Sequence, residues 1–224
     1  MHVLAPHAVV VVDDHPSMRL GLKATLASSP QLHVVDEAAD GLGAVTVVRK
    51  HKPSVVVLDM LLPHLNGIDV IRTLLPELPQ VKFVAYSRRE EPWFVRETLA
   101  AGATGYVFKR SAPSELLRAV TRATTGHSYV DPALGDLHHG LELQAGSSSS
   151  KAVRLSEREA QILRLVAKGA IAKDAARELQ LSNRTFETYK ARAMQKLQLR
   201  SRSDLIRFAE HSGWLNEPDG ESGG

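Results

Sequence analysis

Three apolar runs rich in valine each stop on a charged residue, and those stops constrain the fold more than any other feature of the chain. Val9-Val10-Val11-Val12 runs into Asp13-Asp14, Val55-Val56-Val57-Leu58 into Asp59, and Tyr106-Val107-Phe108 into Lys109. Runs of this length and composition read as strands buried on both faces, as in a parallel sheet. In such sheets the ligand site lies outside the carboxyl ends of the strands, so these charges converge on one crevice. Three crowded carboxylates repel one another and need a cation, and a lysine beside them implies a further anion. The combination points to a metal-assisted phosphate site.

The first part of the chain alternates strand-like and helix-like segments five times. Strands are expected near 8–13, 33–37, 55–59, 81–86 and 104–108, with helices near 16–28, 41–51, 67–77, 91–101 and 113–125. This is the pattern of a doubly wound, five-stranded parallel α/β sheet with helices on both faces. From about Asp136 the pattern breaks. Residues 136–153, including Ala145-Gly146 and Ser147 to Ser150, have the composition of a flexible linker. The pair His138-His139 within it reads as solvated rather than metal-binding. Beyond it everything reads helical. Ser156-Glu157-Arg158-Glu159 matches a capping box, Gly169 ends that helix, and three more helices are expected near 172–179, 183–197 and 203–211. The expected domains are thus 1–135, the linker 136–153, a four-helix domain 154–216, and a disordered tail 217–224.

Charge separates the two parts. Residues 1–150 carry 14 Lys and Arg against 15 Asp and Glu, whereas residues 151–216 carry 14 against 7. Only the second part is suited to a polyanion. The chain has no cysteine, which excludes disulfides and thiolate metal sites. No run approaches the ~18 apolar residues that span a bilayer, and residues 1–7 lack a secretory pattern, so a cytoplasmic location is expected.

With strand order 2-1-3-4-5, strands one and three are neighbours at the switch point, so Asp13, Asp14 and Asp59 can share a cation. Oxygen ligands without cysteine favour Mg²⁺. Ser87 and Lys109, ending the fourth and fifth runs, are placed to hold the oxygens of a phosphoryl group on Asp59, a residue type able to accept one covalently.

Residues 8–135 resemble the receiver domain of two-component response regulators. The resemblance is carried by Asp13-Asp14-His15-Pro16, by Leu58-Asp59-Met60 through Pro63 to Asn66-Gly67, and by Ala101-Gly102-Ala103-Thr104-Gly105-Tyr106-Val107-Phe108-Lys109. It implies that Asp59 accepts phosphate from a phosphohistidine on a sensor histidine kinase. It also implies Mg²⁺ held by Asp13, Asp14, Asp59 and the carbonyl of Leu61, with Ser87, Tyr106 and Lys109 sensing the phosphoryl group. His15 is common at its place in the family and is not read as a ligand. One departure stands out: Arg88 and Arg89 follow the switch hydroxyl, where many receivers have a small residue first.

Residues 154–215 resemble the LuxR-type helix-turn-helix of the NarL/FixJ class, through Leu155-Ser156-Glu157-Arg158-Glu159, Ala167-Lys168-Gly169, Leu181-Ser182 with Thr185, and Lys196-Leu197. On the third helix Phe186, Ala193 and Leu197 share an apolar face flanked by Tyr189. The opposite side presents Arg184, Thr188, Ala191 and Gln195, with Glu187 and Arg192 beside them. With Thr185 and Lys190, these are the candidate contacts to double-stranded DNA. Glu187 replaces a lysine common in the family, which bears on base preference. Leu205, Ile206, Phe208 and Ala209 are candidates for a two-fold contact in a homodimer on repeated half-sites. The chain therefore reads as a transcription factor switched by phosphorylation of Asp59, with no enzymatic activity beyond phosphotransfer to itself and slow loss of the group. The alternatives are a phosphorylation-independent DNA-binding regulator using the receiver to dimerise, and a Mg²⁺-dependent phosphohydrolase with an aspartyl nucleophile.

Overall fold

The computed structural model describes residues 5–134, 155–212, 214 and 215. The expected linker, with His138 and His139, and the expected tail lie outside the described residues. The chain divides into two compact units. Each is described by itself.

The first unit alternates β1 (His7–Val12), α1 (Pro16–Ala27), β2 (Leu32–Ala38), α2 (Gly41–His51), β3 (Val55–Asp59), α3 (Gly67–Leu74), β4 (Lys82–Ser87), α4 (Pro92–Ala100), β5 (Gly105–Phe108) and α5 (Pro113–Thr124). All strands are parallel, in the order β2-β1-β3-β4-β5, as expected, and a short sixth strand, β6 (Tyr129–Val130), continues the sheet beside β5. The five-stranded expectation is corrected by this addition. Two residues are too few to carry a periodic signal, and the strand depends on tertiary partners. Asp131, just after it, is buried; its amide donates to the Tyr106 carbonyl and its Oδ2 accepts the Phe108 amide at 3.1 Å.

The valine runs are buried on both faces because side chains alternate along a strand. Val9, Val11, Val55, Val57, Val84 and Val107 point to one side and pack with Leu22 and Leu26 of α1 and Leu116, Ala119 and Val120 of α5. Val10, Val12, Val56 and Leu58 fill the other side and are equally inaccessible. Burying each such side chain contributes roughly 1.5–3 kcal/mol.

Local chemistry ends the strands where the site needs them to end. Asn66 caps α3 by accepting the Asp69 amide at 3.0 Å, and Gly67 opens that helix against the end of β3. A Cβ on Gly67 would lie 2.7 Å from the Asp59 carbonyl oxygen, so only glycine permits this approach.

The second unit holds α6 (Glu157–Ala167), α7 (Ala172–Glu178), α8 (Asn183–Leu197) and α9 (Arg202–His211). Ile162, Ala175, Ala176 and Phe186 form its core, ringed by Leu165, Val166, Leu179, Leu181 and Tyr189. Gly169 turns the chain after α6 with φ of +92°. The expected capping box is present: Glu159 donates its amide to Ser156 Oγ, and Glu159 Oε2 accepts the Ser156 amide at 2.8 Å. The same carboxylate takes Lys196 Nζ of α8 at 2.7 Å while remaining buried. One side chain thus starts α6 and ties it to α8.

The Lys196 ammonium and the Ser156 amide hold the Glu159 carboxyl below the usual carboxylate range, against the opposing effect of burial. A depressed folded value means stability present above the unfolded pKa and lost as pH falls through the folded one. Glu159→Ala is therefore expected to destabilise this unit by about 1–3 kcal/mol at neutral pH. Urea unfolding followed by tryptophan fluorescence checks this, and the gap between wild type and variant should narrow on acidification.

Candidate functional site

In the first unit, register builds the crevice. Val12 pairs with Leu58 and Asp59 with Tyr86, while Ser87 pairs with Phe108. Asp13, Asp59, Ser87 and Lys109 therefore end four adjacent strands at one edge of the sheet. The predicted lysine reaches furthest. Lys109 Nζ lies 2.6 Å from Asp13 Oδ2 and 2.7 Å from Asp59 Oδ2, with all three side chains buried. Each carboxylate uses its second oxygen on a backbone amide: Asp13 Oδ1 accepts from His15 at 2.9 Å, and Asp59 Oδ1 from Leu61 at 3.1 Å.

Electrostatics follow from this geometry. Burial pushes the Asp59 carboxyl up, and the opposing hydrogen bond and charge of Lys109 do not cancel it. Burial pulls the Lys109 ammonium down, but its hydrogen bonds to Asp13 and Asp59 outweigh that and raise it. Lys109 is therefore a fixed positive charge, and Asp59 is a carboxylate of increased basicity.

Asp14 is more open, and its Oδ1 lies 2.5 Å from His15 Nδ1. Asp13, Asp14 and His15 offer ligand atoms that all fall within 4.8 Å of one another. Three carboxylates against a single ammonium leave two negative charges in a largely buried site. Oxygen donors with that imbalance fit a divalent cation of the Mg²⁺ type. Leu61 stands beside Asp59, its side chain 47% exposed.

Ser87 and Tyr106 are both fully buried and both bind the segment after β4. Ser87 Oγ accepts the Arg89 amide at 3.1 Å, and the Tyr106 hydroxyl donates to the Arg89 carbonyl at 2.7 Å. Arg88 lies between them and is exposed. It lines a cleft of about 270 Å³ together with Met18, Ser87, Glu90, Phe108, Lys109 and Arg110.

Sequence reasoning missed two supports. Arg19 of α1 donates from Nη1 to the Asp13 carbonyl at 2.8 Å and from Nε to Glu37 at 3.2 Å. Tyr86 donates its hydroxyl to the Lys109 carbonyl, and its ring centroid lies 6.0 Å from the Lys109 ammonium. Arg19 falls in the first turn after Pro16, one turn from the acidic pair, and that spacing was the only signal available.

In the second unit, α8 divides as expected. Phe186 and Ala193 are buried and Tyr189 and Leu197 half-buried, whereas Arg184, Thr185, Glu187, Thr188, Ala191, Arg192 and Gln195 are exposed. Thr185 is engaged by the cap, its amide on Ser182 Oγ at 3.1 Å. Lys190 directs its ammonium to Glu187 at 2.6 Å. Arg184 and Arg192 have no acid partner among the described residues. Of the expected dimer residues, Leu205 and Ala209 are buried and Ile206 and Phe208 half-buried, the Phe208 ring meeting Trp214 edge-on at 5.1 Å.

The comparisons with known proteins match both units. A model of the response regulator receiver domain matches residues 9–121, and a model of bacterial regulatory proteins of the luxR family matches residues 153–209. The chain is 33% identical to the transcriptional activator protein ExaE of Pseudomonas putida, over 92% of this chain and 97% of that protein. It is 32% identical to the response regulator GacA of Pseudomonas aeruginosa, over 93% and 97%. Among solved structures it superposes with a TM-score of 0.77 on RcsB from Salmonella enterica serovar Typhimurium, bound to a promoter in the presence of phosphomimetic BeF3⁻. That pair is 25% identical, covering 90% of this chain and 97% of that one.

Removing Lys109 leaves Asp13 and Asp59 buried and unpaired, at an expected cost of ~3 kcal/mol. Asp59→Asn should cost far less, because Lys109 keeps Asp13. Thermal unfolding in chelator checks the order of the two variants, and the Lys109→Ala deficit should shrink at acid pH as the Asp59 carboxyl, pushed up by burial, takes up a proton.

Proposed function

The chain belongs to the response regulators that join a receiver domain to a luxR-type DNA-binding domain, and from that premise we propose how its own residues perform the switch. As a member it is a DNA-binding transcriptional regulator of a two-component system. Asp59 is the phosphoacceptor. One Asp59 oxygen attacks the phosphorus of a phosphohistidine on a sensor kinase, the P–N bond breaks, and an acyl phosphate forms. The observation that carries this reading is the buried Lys109 ammonium held against Asp59 and Asp13. It lies where negative charge gathers on the transferred group.

Mg²⁺ would be held by Asp13, Asp14, Asp59 and the Leu61 carbonyl, and would neutralise charge on the phosphoryl oxygens during transfer. Arg19 fixes the Asp13 carbonyl and so orients the paired acids. The chain also removes the phosphoryl group slowly by itself and has no other enzymatic activity.

Phosphorylation shifts the population of receiver conformers through Ser87 and Tyr106, which share the backbone of Arg89. The output is binding of promoter DNA by α8 as a homodimer. RcsB was solved bound to a promoter with the phosphomimetic BeF3⁻, which supports the same output here. The exposed side of α8 supplies the contacts, with Arg184 and Arg192 its unpaired cations among the described residues.

Two measurements test the reading. Asp59→Ala should abolish labelling by acetyl phosphate in Mg²⁺, and persistent labelling of the variant sinks the assignment. Arg184→Ala and Arg192→Ala should each reduce the slope of log affinity against log salt for duplex DNA by about 0.9, one phosphate contact apiece. An unchanged slope would place the DNA interface elsewhere.

A further inference from the structure

α8 carries four cations, Arg184, Lys190, Arg192 and Lys196, and a single acid, Glu187. That acid is exposed, as are Thr188 and Ala191 on the side expected to meet DNA. A bare carboxylate there is repelled by the phosphates of any duplex the helix approaches. The structure shows how the repulsion is met. Lys190, one turn further on, sets its ammonium 2.6 Å from Glu187 Oε2. The two side chains are neutral as a unit, and the lysine takes only one of the two oxygens. Glu187 Oε1 is left as an acceptor.

Its place along the helix gives that acceptor a use. In a helix-turn-helix the first turns of the second helix meet the base edges. Two hydroxyls in those turns are already engaged within the helix: Thr188 Oγ1 donates to the Arg184 carbonyl at 2.9 Å, and Thr185 Oγ1 lies 2.8 Å from Ser182 Oγ. Glu187 is the acceptor that remains. Base edges in the major groove differ in how they receive a carboxylate. Guanine shows two acceptors and thymine an acceptor and a methyl group, so both reject it. Adenine shows a donor with an acceptor beside it, whereas cytosine shows its amino donor alone.

We propose that Glu187 selects base sequence, its Oε1 accepting a hydrogen bond from a cytosine amino group in the major groove while Lys190 stays on Oε2 and neutralises the carboxylate. This rests on the reading of α8 as the helix that enters the groove. The acid acts in two directions. Opposite cytosine it is satisfied; opposite any other base it gives up water for an imperfect partner or for a second acceptor, and binding weakens. Specificity is a difference of affinities, so rejection of wrong sequences counts as much as attraction to the right one.

The test uses the full-length chain, treated with acetyl phosphate in Mg²⁺, to select duplexes from a randomised pool. Affinities are then measured for the selected duplex and for versions changed one base pair at a time. Wild type should require cytosine at one position of each half-site, with about a tenfold loss for any other base there. Glu187→Ala should reduce that loss to about twofold or less and leave the other positions unchanged. Glu187→Gln should move the preference to adenine, whose donor and acceptor match an amide. Lys190→Met should keep the cytosine preference and weaken all duplexes alike, because the carboxylate is then uncompensated. The Glu187–Lys190 pair is exposed and contributes little to stability, so the variants remain folded. A cytosine preference that persists in Glu187→Ala, or a wild type with no cytosine position, overturns the proposal. Unchanged salt slopes in Arg184→Ala and Arg192→Ala overturn the reading of α8 itself and this inference with it; reduced slopes with a persistent cytosine preference in Glu187→Ala overturn this inference alone.

Discussion

The first unit is organised around one buried ammonium. Lys109 follows β5, Asp13 follows β1 and Asp59 ends β3, so the ion pairs join three strands of the sheet at one edge. Taking an isolated charge out of water costs several kcal/mol, and two carboxylates around one lysine are only partly compensated. The rest of the local structure supplies what the lysine does not. The amides of His15 and Leu61 take the remaining carboxylate oxygens, and Arg19 takes the Asp13 carbonyl. The residual negative charge suits the site to a divalent cation and to the proposed phosphoryl transfer, so stability is given up where that chemistry would occur.

The helical unit uses the same device for a different end. Glu159 is a buried carboxylate satisfied by an amide near in sequence, that of Ser156, and by a lysine distant in sequence, Lys196. Here charge is balanced one to one, and the result is structural. The amide starts α6, the lysine ties it to α8, and nothing is left over to bind a ligand. The contrast between a two-to-one and a one-to-one arrangement separates the proposed phosphoacceptor from the structural carboxylate more clearly than burial does, since both are buried.

How much of this was legible in the sequence depended on whether a feature is local or pairwise. Valine runs, capping residues and the apolar face of α8 are local patterns, and they placed β1, β3, β5, the α6 cap and Phe186 correctly. The ends of those runs also placed Asp13, Asp59, Ser87 and Lys109 at one edge, because parallel strands in register must end together. Partners between distant segments were not legible. Nothing in the spacing of Arg19 and Glu37, or of Tyr86 and the Lys109 carbonyl, announces a contact. β6 escaped for the same reason, as Tyr129 and Val130 become a strand only through Asp131 and the free edge of β5.

Lys190 shows what such hidden pairing does to function. Its position on α8 suggests a phosphate contact, yet its ammonium lies on Glu187, three residues earlier. An exposed pair of this kind contributes little to stability, but it must be broken before the ammonium can replace a counterion on DNA. The helix then offers Arg184 and Arg192, eight residues and ~12 Å apart along its axis. Two unpaired cations give one copy of the helix little affinity that is independent of base sequence. Such a domain gains affinity chiefly by repetition, since a second copy on a second half-site doubles the phosphate contacts with no change in either helix. Weak binding by a single copy of the helix would suit the proposed phosphorylation-controlled dimer, because assembly rather than helix chemistry would then set occupancy of the promoter.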